Sequence, residues 1–206
     1  MNEDLSNGWE AVAERFIECR SDIGAATVRQ WATCLPKGGS VLDVGCGSGV
    51  PISMALMDDG FQVAGLDASP TLVGAFRTRF PGAVVACEAA EQSRFFGRTF
   101  DGVIAIGLLF LLSEQSQREL VRRLASALRP GGRLLFTAPH ERCVWTDQLT
   151  GRTSLSLGAA EYRRLLEGAG MALARSLEDE GENHYYDALA VGGTQMTCRH
   201  LLHDQR

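Results

Sequence analysis

The sequence lacks the features that mark membrane spans, paired-cysteine sites and nucleic-acid-binding surfaces. No apolar run approaches the roughly 18 residues that a membrane helix needs. The six cysteines are scattered without a Cys-x-x-Cys pair, which argues against a zinc ribbon or a thioredoxin-like site and predicts reduced thiols. The formal net charge is −5, so no basic face is evident; the balance argues against nucleic acid and favours a small-molecule partner.

The N-terminus also lacks the pattern of a secretory signal. Residues 1–7 include Glu3 and Asp4 and have neither a basic flank nor an apolar segment, which predicts a cytoplasmic protein. A length of 206 residues suits one domain, and 45% hydrophobic with 22% charged residues is ordinary for a globular chain. We therefore expect a single folded domain with one sizeable core.

Segments with strand character alternate with segments of helical character. Their order favours parallel βαβ units, and hence an α/β, doubly wound fold. We expect the third and fourth strands to be buried. The predicted strands cover residues 41–44, 61–66, 83–87, 100–106, 133–138, 171–177 and 185–191, and the predicted helices cover 9–19, 23–35, 70–80, 113–128 and 158–168.

One long segment carries no clear periodicity. Residues 140–157 are polar and rich in Ser and Thr, which predicts a loop or an inserted lid. This segment is the candidate substrate-binding side of a site, called the acceptor side below, with His140, Trp145 and Asp147 as its candidate side chains.

A glycine-rich turn is the most informative motif. Residues 41–50 form an apolar run that ends in Gly45-Cys46-Gly47-Ser48-Gly49, and Pro51 follows in a position that suits a first helical turn. Such a turn lets the backbone approach a ligand closely. The third glycine arrives one residue too early for the dinucleotide motif G-x-G-x-x-G, which argues against a nicotinamide enzyme.

With Asp43, the pattern D-x-G-x-G-x-G resembles motif I of class I S-adenosylmethionine (SAM) dependent methyltransferases. Three further matches follow in order within residues 38–139: Gly-Leu-Asp-Ala-Ser-Pro, Phe-Asp-Gly-Val-Ile and Leu-Arg-Pro-Gly-Gly-Arg-Leu-Leu. The resemblance implies a Rossmann-like, doubly wound, mostly parallel seven-stranded sheet with helices on both faces. It also implies SAM as cofactor and methyl transfer as activity.

The candidate cofactor residues follow strand ends, where open parallel sheets bind ligands. Asp67 ends the second strand and is predicted to accept hydrogen bonds from ribose hydroxyls; the alternative is an anion at a helix N-terminus. Glu88 is assigned to the adenine edge or, alternatively, to a helix cap. Asp43 is assigned to the glycine turn or the methionine amino group. The predicted cofactor set is Asp43, Gly45, Cys46, Gly47, Gly49, Asp67, Ala68, Glu88, Ala89 and Ile106.

The predicted catalytic residues are His184 and Tyr185, which lie before and within the last strand. The alternative is that a tyrosine packs in the core while His184 occupies a solvent turn. Arg20 either reaches the methionine carboxylate or lies at the surface. No Asn/Asp-Pro-Pro-aromatic motif follows the fourth strand, which disfavours methylation of DNA bases.

The sequence thus predicts a methyltransferase that acts on O or N of a small molecule, without nucleic-acid, membrane or metal partners. The alternatives are a SAM-binding regulator or partner subunit without activity, and a nucleotide-dependent dehydrogenase. His200-x-x-His203 is assigned to a tail and not to a metal site, and nothing indicates an oligomeric state. The predicted layout is a helical cap (1–36), a SAM-binding core (38–139), an acceptor-side segment with the last two strands (140–192) and a tail (193–206).

Overall fold

The computed structural model describes residues 4–191. The tail assignment and His200-x-x-His203 lie outside the described residues. The strands are β1 (Ser40–Val44), β2 (Gln62–Asp67), β3 (Val84–Cys87), β4 (Phe100–Ala105), β5 (Leu128–Thr137), β6 (Cys143–Thr146), β7 (Thr153–Ser156), β8 (Met171–Glu178) and β9 (His184–Ala190). The α-helices are α1 (Ala13–Cys19), α2 (Ala25–Ala32), α3 (Ile52–Asp58), α4 (Pro70–Arg79), α5 (Glu114–Ser126) and α6 (Ala159–Gly168), with short 3-10 turns at Glu10–Val12, Phe95–Gly97 and Leu109–Leu111.

Seven strands form one sheet in the order β3-β2-β1-β4-β5-β9-β8. Strands β1 to β5 pair in parallel, whereas β9 is antiparallel to both β5 and β8. The strand order reverses between β1 and β4, which is where ligands bind in doubly wound sheets. The predicted fold class, an α/β Rossmann-like sheet of seven mostly parallel strands, is confirmed.

Helices cover both faces of the sheet because neighbouring strand residues point to opposite sides. Val41 packs on one side with Trp31 of α2 and Leu56 of α3. Leu42 packs on the other side with Leu120 of α5 and the residues around α6. Within residues 4–191, no helix has the length and hydropathy of a membrane span.

Helix α4 begins as the sequence predicts. The side chain of Ser69 caps the helix by accepting a hydrogen bond of 3.1 Å from the backbone N–H of Leu72, and Pro70 takes the first helical position. This cap fixes the turn between β2 and α4, so the end of β2 has a defined geometry at the site.

Strand β9 is held between its neighbours by a buried carboxylate. Asp187 is fully buried and accepts hydrogen bonds from Trp31 Nε1 at 3.0 Å, from Arg133 Nη2 at 2.7 Å and from Arg175 Nε at 2.7 Å. Two guanidinium groups and an indole N–H compensate for its lost hydration. The anchored strand places Tyr185 beside β5.

Three details differ from the sequence predictions. Strand β3 is not buried: it lies at the edge of the sheet, and Val84 is 51% exposed. The segment 140–157 is not a plain loop, because β6 and β7 pair into an antiparallel hairpin. Strand β5 begins at Leu128 and not at residue 133, because the register shifts at Asp101 and residues 129–132 bulge out opposite it.

Candidate functional site

A cavity of about 310 Å³ lies at the carboxyl ends of β1 to β5. Residues 5–23, in and beside α1, cover one side, and the hairpin covers another. The wall also includes the segment between β4 and α5. Nine of the ten predicted cofactor residues line this cavity: Asp43, Gly45, Cys46, Gly47, Asp67, Ala68, Glu88, Ala89 and Ile106.

The glycine turn is fixed by the neighbouring strand. The carbonyl oxygen of Leu66 accepts hydrogen bonds from Gly45 N at 2.8 Å and from Cys46 N at 3.0 Å. Gly45 and Gly47 have φ angles of +76° and +55°, a region that favours glycine. The turn therefore presents its backbone to the cavity without intervening side chains.

Gly49, the tenth predicted residue, does not line the cavity. Its φ is +80°, and a Cβ at this position would lie 2.6 Å from Phe80 and 2.8 Å from Phe76 of α4. The motif glycine is required here for close packing between the turn and α4. The structure therefore gives Gly49 a packing role and does not bring it into the cavity wall with the other nine residues.

Asp67 lies at the centre of the cofactor side. Its carboxylate accepts hydrogen bonds of 2.9 Å from Gly47 N and from Ser69 N. Burial raises the pKa of Asp67, and the backbone donors oppose that shift. A carboxylate offers about four acceptor positions, so the two oxygens retain capacity for hydroxyl donors from the cavity.

Asp43 is a second buried carboxyl, 2% exposed, that accepts a hydrogen bond of 2.5 Å from Ser53 Oγ. Burial raises the pKa of Asp43 to about 7, and the charge of Arg20 works against this shift. The group therefore changes charge near neutral pH, and a cation bound next to it would favour the charged form.

Helix α1 and the segment before it cover the glycine turn with aromatic side chains that the sequence analysis did not assign to the site. Trp9 and Phe16 pack edge to face with ring centroids 5.0 Å apart, and both line the cavity. The indole N–H of Trp9 is buried and has no partner among the described residues. The sequence spacing does not indicate this contact, because the 3-10 turn Glu10–Val12 separates Trp9 from the helix that carries Phe16.

Arg20 follows on the same side, with its guanidinium 5.6 Å from the ring centroid of Phe16. Burial lowers the pKa of Arg20, whereas the nearby groups Tyr185, Asp43 and Asp179 raise it. Arg20 is the only cationic side chain in the cavity wall of residues 4–191. It is not the surface arginine of the alternative interpretation.

Glu10 ties the cap to the rest of the site. Its carboxylate accepts hydrogen bonds from Ser69 Oγ, from Thr71 Oγ1 at 2.7 Å and from Thr71 N at 3.1 Å. The bond from Ser69 lowers the pKa of Glu10. The cap is therefore anchored at the N-terminus of α4, directly after Asp67.

Glu88 lies where the sequence predicts, after β3 and in the cavity wall. Its Oε1 accepts a hydrogen bond of 2.6 Å from Ser93 Oγ, and its backbone N–H donates to the Asp67 carbonyl at 2.9 Å. The carboxylate is thus held beside the Ala89 backbone, at the end of the cavity farthest along the sheet from β4.

Only one of the two predicted catalytic residues lies in the cavity wall. Tyr185 lines the cavity, and its hydroxyl donates to Asp179 Oδ2 at 2.8 Å. Burial and this bond raise the pKa of Tyr185, so the phenol keeps its proton near neutral pH. Asp179 is held further by Asn183, whose Nδ2 donates at 3.0 Å.

His184 is outside the cavity wall. Its ring lies 5.1 Å from His140 and 4.8 Å from Tyr186, measured between centroids. Strand alternation explains this position, because His184 and Tyr186 point to the face opposite Tyr185. The structure therefore does not bring His184 and Tyr185 together in the cavity wall, and a catalytic role of Tyr185 stays a prediction.

The hairpin contributes a different part of the wall. Phe110 lines the cavity and packs against Trp145 with ring centroids 5.4 Å apart. Asp147 also lines the cavity, whereas Trp145 supports Phe110 from behind and His140 is exposed outside it. No group of metal-ligating side chains is found in residues 4–191.

The family model described as "Methyltransferase domain" matches residues 41–132, which span the glycine turn, Asp67, Glu88 and β4. Over these residues the chain resembles the class I SAM-dependent methyltransferases. The resemblance that the four motifs predicted is confirmed, and SAM is the cofactor of this family.

Curated relatives agree on the family and differ in their acceptors. Cypemycin N-terminal methyltransferase of Streptomyces sp is 40% identical over 98 residues, which cover 46% of this chain and 40% of that protein. Ubiquinone biosynthesis O-methyltransferase of Xanthomonas axonopodis pv. citri (strain 306) is 29% identical over 161 residues, 74% of this chain and 57% of that protein. Other relatives are named as RNA methyltransferases. The chain thus spans about half the length of these two relatives.

Solved structures share the fold. Magnesium protoporphyrin IX methyltransferase from Synechocystis PCC 6803, solved with bound SAM, superposes with a TM-score of 0.70 at 19% identity. The alignment covers 92% of this methyltransferase and 98% of the other chain. At this identity the likeness supports the fold and not the acceptor.

Proposed function

We propose that this protein transfers the methyl group of SAM to an oxygen or nitrogen of a small molecule. The observation that carries the proposal is that nine predicted cofactor residues, from four strand ends, line a single cavity. The cavity continues beyond them toward β5 and the hairpin, which leaves a separate wall for an acceptor.

The residues of the cofactor side fit the parts of SAM. Asp67 would accept hydrogen bonds from the ribose hydroxyls, and Glu88 with Ala89 would border the adenine. The backbone of the glycine turn would follow the methionine chain, and Asp43 and Arg20 would face its amino and carboxylate groups. The unpartnered Trp9 N–H is a further donor available to the ligand.

Bound SAM supplies a methyl group already activated by the sulfonium. The protein has then to hold the acceptor in line with that group and to exclude water, which is catalysis by positioning. Tyr185 fits such a role, because its hydroxyl is anchored on Asp179 and keeps its proton. Phe16 and Trp9 close the cavity over the glycine turn and keep water from it.

The deciding experiment is calorimetric titration with SAM, S-adenosylhomocysteine and NAD. We expect both adenosyl ligands to bind in the micromolar range and NAD not to bind. Asp67→Ala should weaken SAM binding by about 100-fold, since it removes a charged acceptor from a buried site. Asp67→Asn keeps the side-chain volume and one oxygen acceptor, and should lose less.

A thermal unfolding curve for each variant separates lost binding from lost folding. NAD binding, or SAM binding that Asp67→Ala leaves unchanged, contradicts the proposed site. SAM binding without S-adenosylhomocysteine formation from any pool of acceptors would favour the alternative function, a SAM-binding regulator or partner subunit.

We also propose that three regions of the chain have the functions that the sequence predicts. Residues 1–36 would form the cap, 38–139 the SAM-binding core and 140–192 the acceptor side. The support is that residues 5–23 line the cavity from the cap and Asp147 lines it from the hairpin.

A further inference from the structure

The charges in the cavity wall are unevenly distributed. Its cofactor end has the carboxyls of Asp43, Asp67 and Glu88, with Arg20 beside Asp43. The acceptor end is the part formed by residues 106–112, Thr137, the hairpin, residues 5–9 and the group around Tyr185; its charged wall residues are Asp147 and Asp179. Both oxygens of Asp179 accept hydrogen bonds, from Tyr185, Asn183 and Gly181, so Asp147 is the carboxylate that an acceptor can engage.

The carboxylate of Asp147 has one committed oxygen. Oδ1 accepts hydrogen bonds from Leu149 N at 3.0 Å, from Thr150 N at 2.7 Å and from Thr150 Oγ1 at 2.8 Å. These three bonds fix the turn of the hairpin and the side chain with it. Within residues 4–191 no group donates to Oδ2 by hydrogen-bond geometry, so this oxygen is free to accept from a ligand.

The surroundings of Asp147 are apolar and aromatic. Phe110 lines the same end of the cavity, and Trp145 holds its ring from behind. Leu5 and Leu108 complete the apolar surface. A carboxylate attracts an organic cation by charge, and an aromatic side chain in the same wall can add the attraction of its ring quadrupole.

We propose that the acceptor is a protonated amine on an apolar body, that Asp147 Oδ2 binds its ammonium group, and that nitrogen is the methylated atom. The inference rests on the proposed function and narrows its oxygen-or-nitrogen acceptor. A neutral hydroxyl acceptor could donate one hydrogen bond to Asp147 Oδ2 but would leave its charge unpaired, and an anionic acceptor would add repulsion. A cationic group compensates best for the lost hydration, because its hydrogen bond to the carboxylate is charge-assisted.

The reaction balances without another reagent. The ammonium gives one proton to solvent through Asp147, and the nitrogen lone pair then forms the new N–C bond to the methyl carbon. The electron pair of the broken C–S bond stays on sulfur. The products are S-adenosylhomocysteine and an N-methylated ammonium ion.

The test uses three probes with one apolar body: phenylpropylamine, phenylpropanol and phenylpropanoate. Each is titrated by calorimetry into the full-length protein saturated with S-adenosylhomocysteine. We expect the amine to bind about tenfold more tightly than the alcohol, as a charged hydrogen bond predicts, and the carboxylate to bind most weakly.

The variant Asp147→Asn isolates the charge, because its amide oxygen can keep the three bonds that hold the turn. It should bind the amine and the alcohol equally. Glu141→Gln is the matched control: it removes one negative charge from a side chain 89% exposed and outside the cavity, and should keep the wild-type preference.

Equal or tighter binding of the alcohol, no binding of the amine, or an unchanged preference in Asp147→Asn would each overturn the inference. Saturation with S-adenosylhomocysteine is measured first in the same sample. Its failure would count against the proposed function itself, so the two failures are distinguishable.

Discussion

At the cofactor end of the cavity, the wall is formed mainly by main-chain groups and carboxylates. Gly47 donates its N–H to Asp67, and Leu66 accepts from Gly45. At the acceptor end, the wall consists of side chains such as Phe110 and Asp147, which come from segments far apart in the chain. The first construction depends on backbone angles that few residues adopt, whereas the second tolerates many side chains on one scaffold.

This difference explains why the sequence indicates the family but does not identify the acceptor. The family model matches the segment 41–132, which builds most of the cofactor end, whereas the names of the relatives give unlike acceptors. Backbone geometry at the cofactor end constrains the sequence directly. Changes at the acceptor end alter specificity while the sheet remains the same.

Replacement of Gly49 should have the largest effect on stability. Gly49→Ala combines a φ of +80° with contacts of 2.6–2.8 Å to Phe80 and Phe76. We expect the free energy of unfolding to fall by about 4 kcal/mol, the sum of backbone strain and overpacking. Urea unfolding followed by circular dichroism measures the loss.

Gly60→Ala is the matched control, because Gly60 has a φ of +86° and nothing within 4 Å of a Cβ. Its loss should be about 1 kcal/mol, from backbone strain alone. Equal losses in the two variants would show that Gly49 is not required for packing against α4.

The next largest effect should be the change of SAM affinity with pH. Because the pKa of Asp43 is raised to about 7 in the free protein, SAM binding below that pH requires loss of a proton next to the ligand's ammonium group. Affinity should fall by about tenfold per pH unit below the pKa and level off above it. Calorimetry in buffers of different ionisation enthalpy measures the released proton.

Asp43→Asn should abolish this pH dependence while Ser53 keeps an oxygen acceptor. For folding the sign is opposite. The raised pKa of Asp43 contributes stability below its unfolded value of 3.8, and this contribution is lost as the pH rises through about 7. A slope of SAM affinity that persists in the asparagine variant would assign the proton to another group.

Tyr185→Phe should have the smallest effect. Asp179 retains its bonds from Asn183 and Gly181, so we expect the KM for the acceptor to rise by about threefold with an unchanged shape of the pH–rate profile. His184→Ala should leave this KM unchanged, because His184 is outside the wall. Initial rates with an acceptor that the protein methylates measure the KM of both variants. Loss of one limb of the pH–rate profile in Tyr185→Phe would show that the tyrosine transfers a proton.

Much of the fold follows from local pattern. Ser69 and Pro70 predict the start of α4, and the β-branched run before Gly45 predicts β1. The exposure of β3 was not predictable, because its edge position depends on which strands pair with β2. The hairpin was missed for a similar reason: β6 and β7 pair only with each other and lack a strong apolar alternation.

The residues of the candidate site also divide into those that the sequence predicts and those that it does not. Asp67 and Glu88 were predictable because each directly follows a strand whose end faces the ligand. Phe16 was not, since its contact with the glycine turn depends on how the cap folds back over the sheet. The position of His184 outside the wall was not predictable, because strand alternation places adjacent residues on opposite faces and sequence alone does not tell which face the cavity occupies.

The shared carbonyl of Leu66 has a consequence for binding entropy. Because it fixes Gly45 and Cys46 through hydrogen bonds of 2.8 and 3.0 Å, the turn is ordered by β2 and does not need a ligand to order it. Glycine loses more backbone freedom than any other residue when it is fixed, and here that loss accompanies folding. Ligand association therefore orders little additional chain, and few side-chain contacts suffice for tight binding.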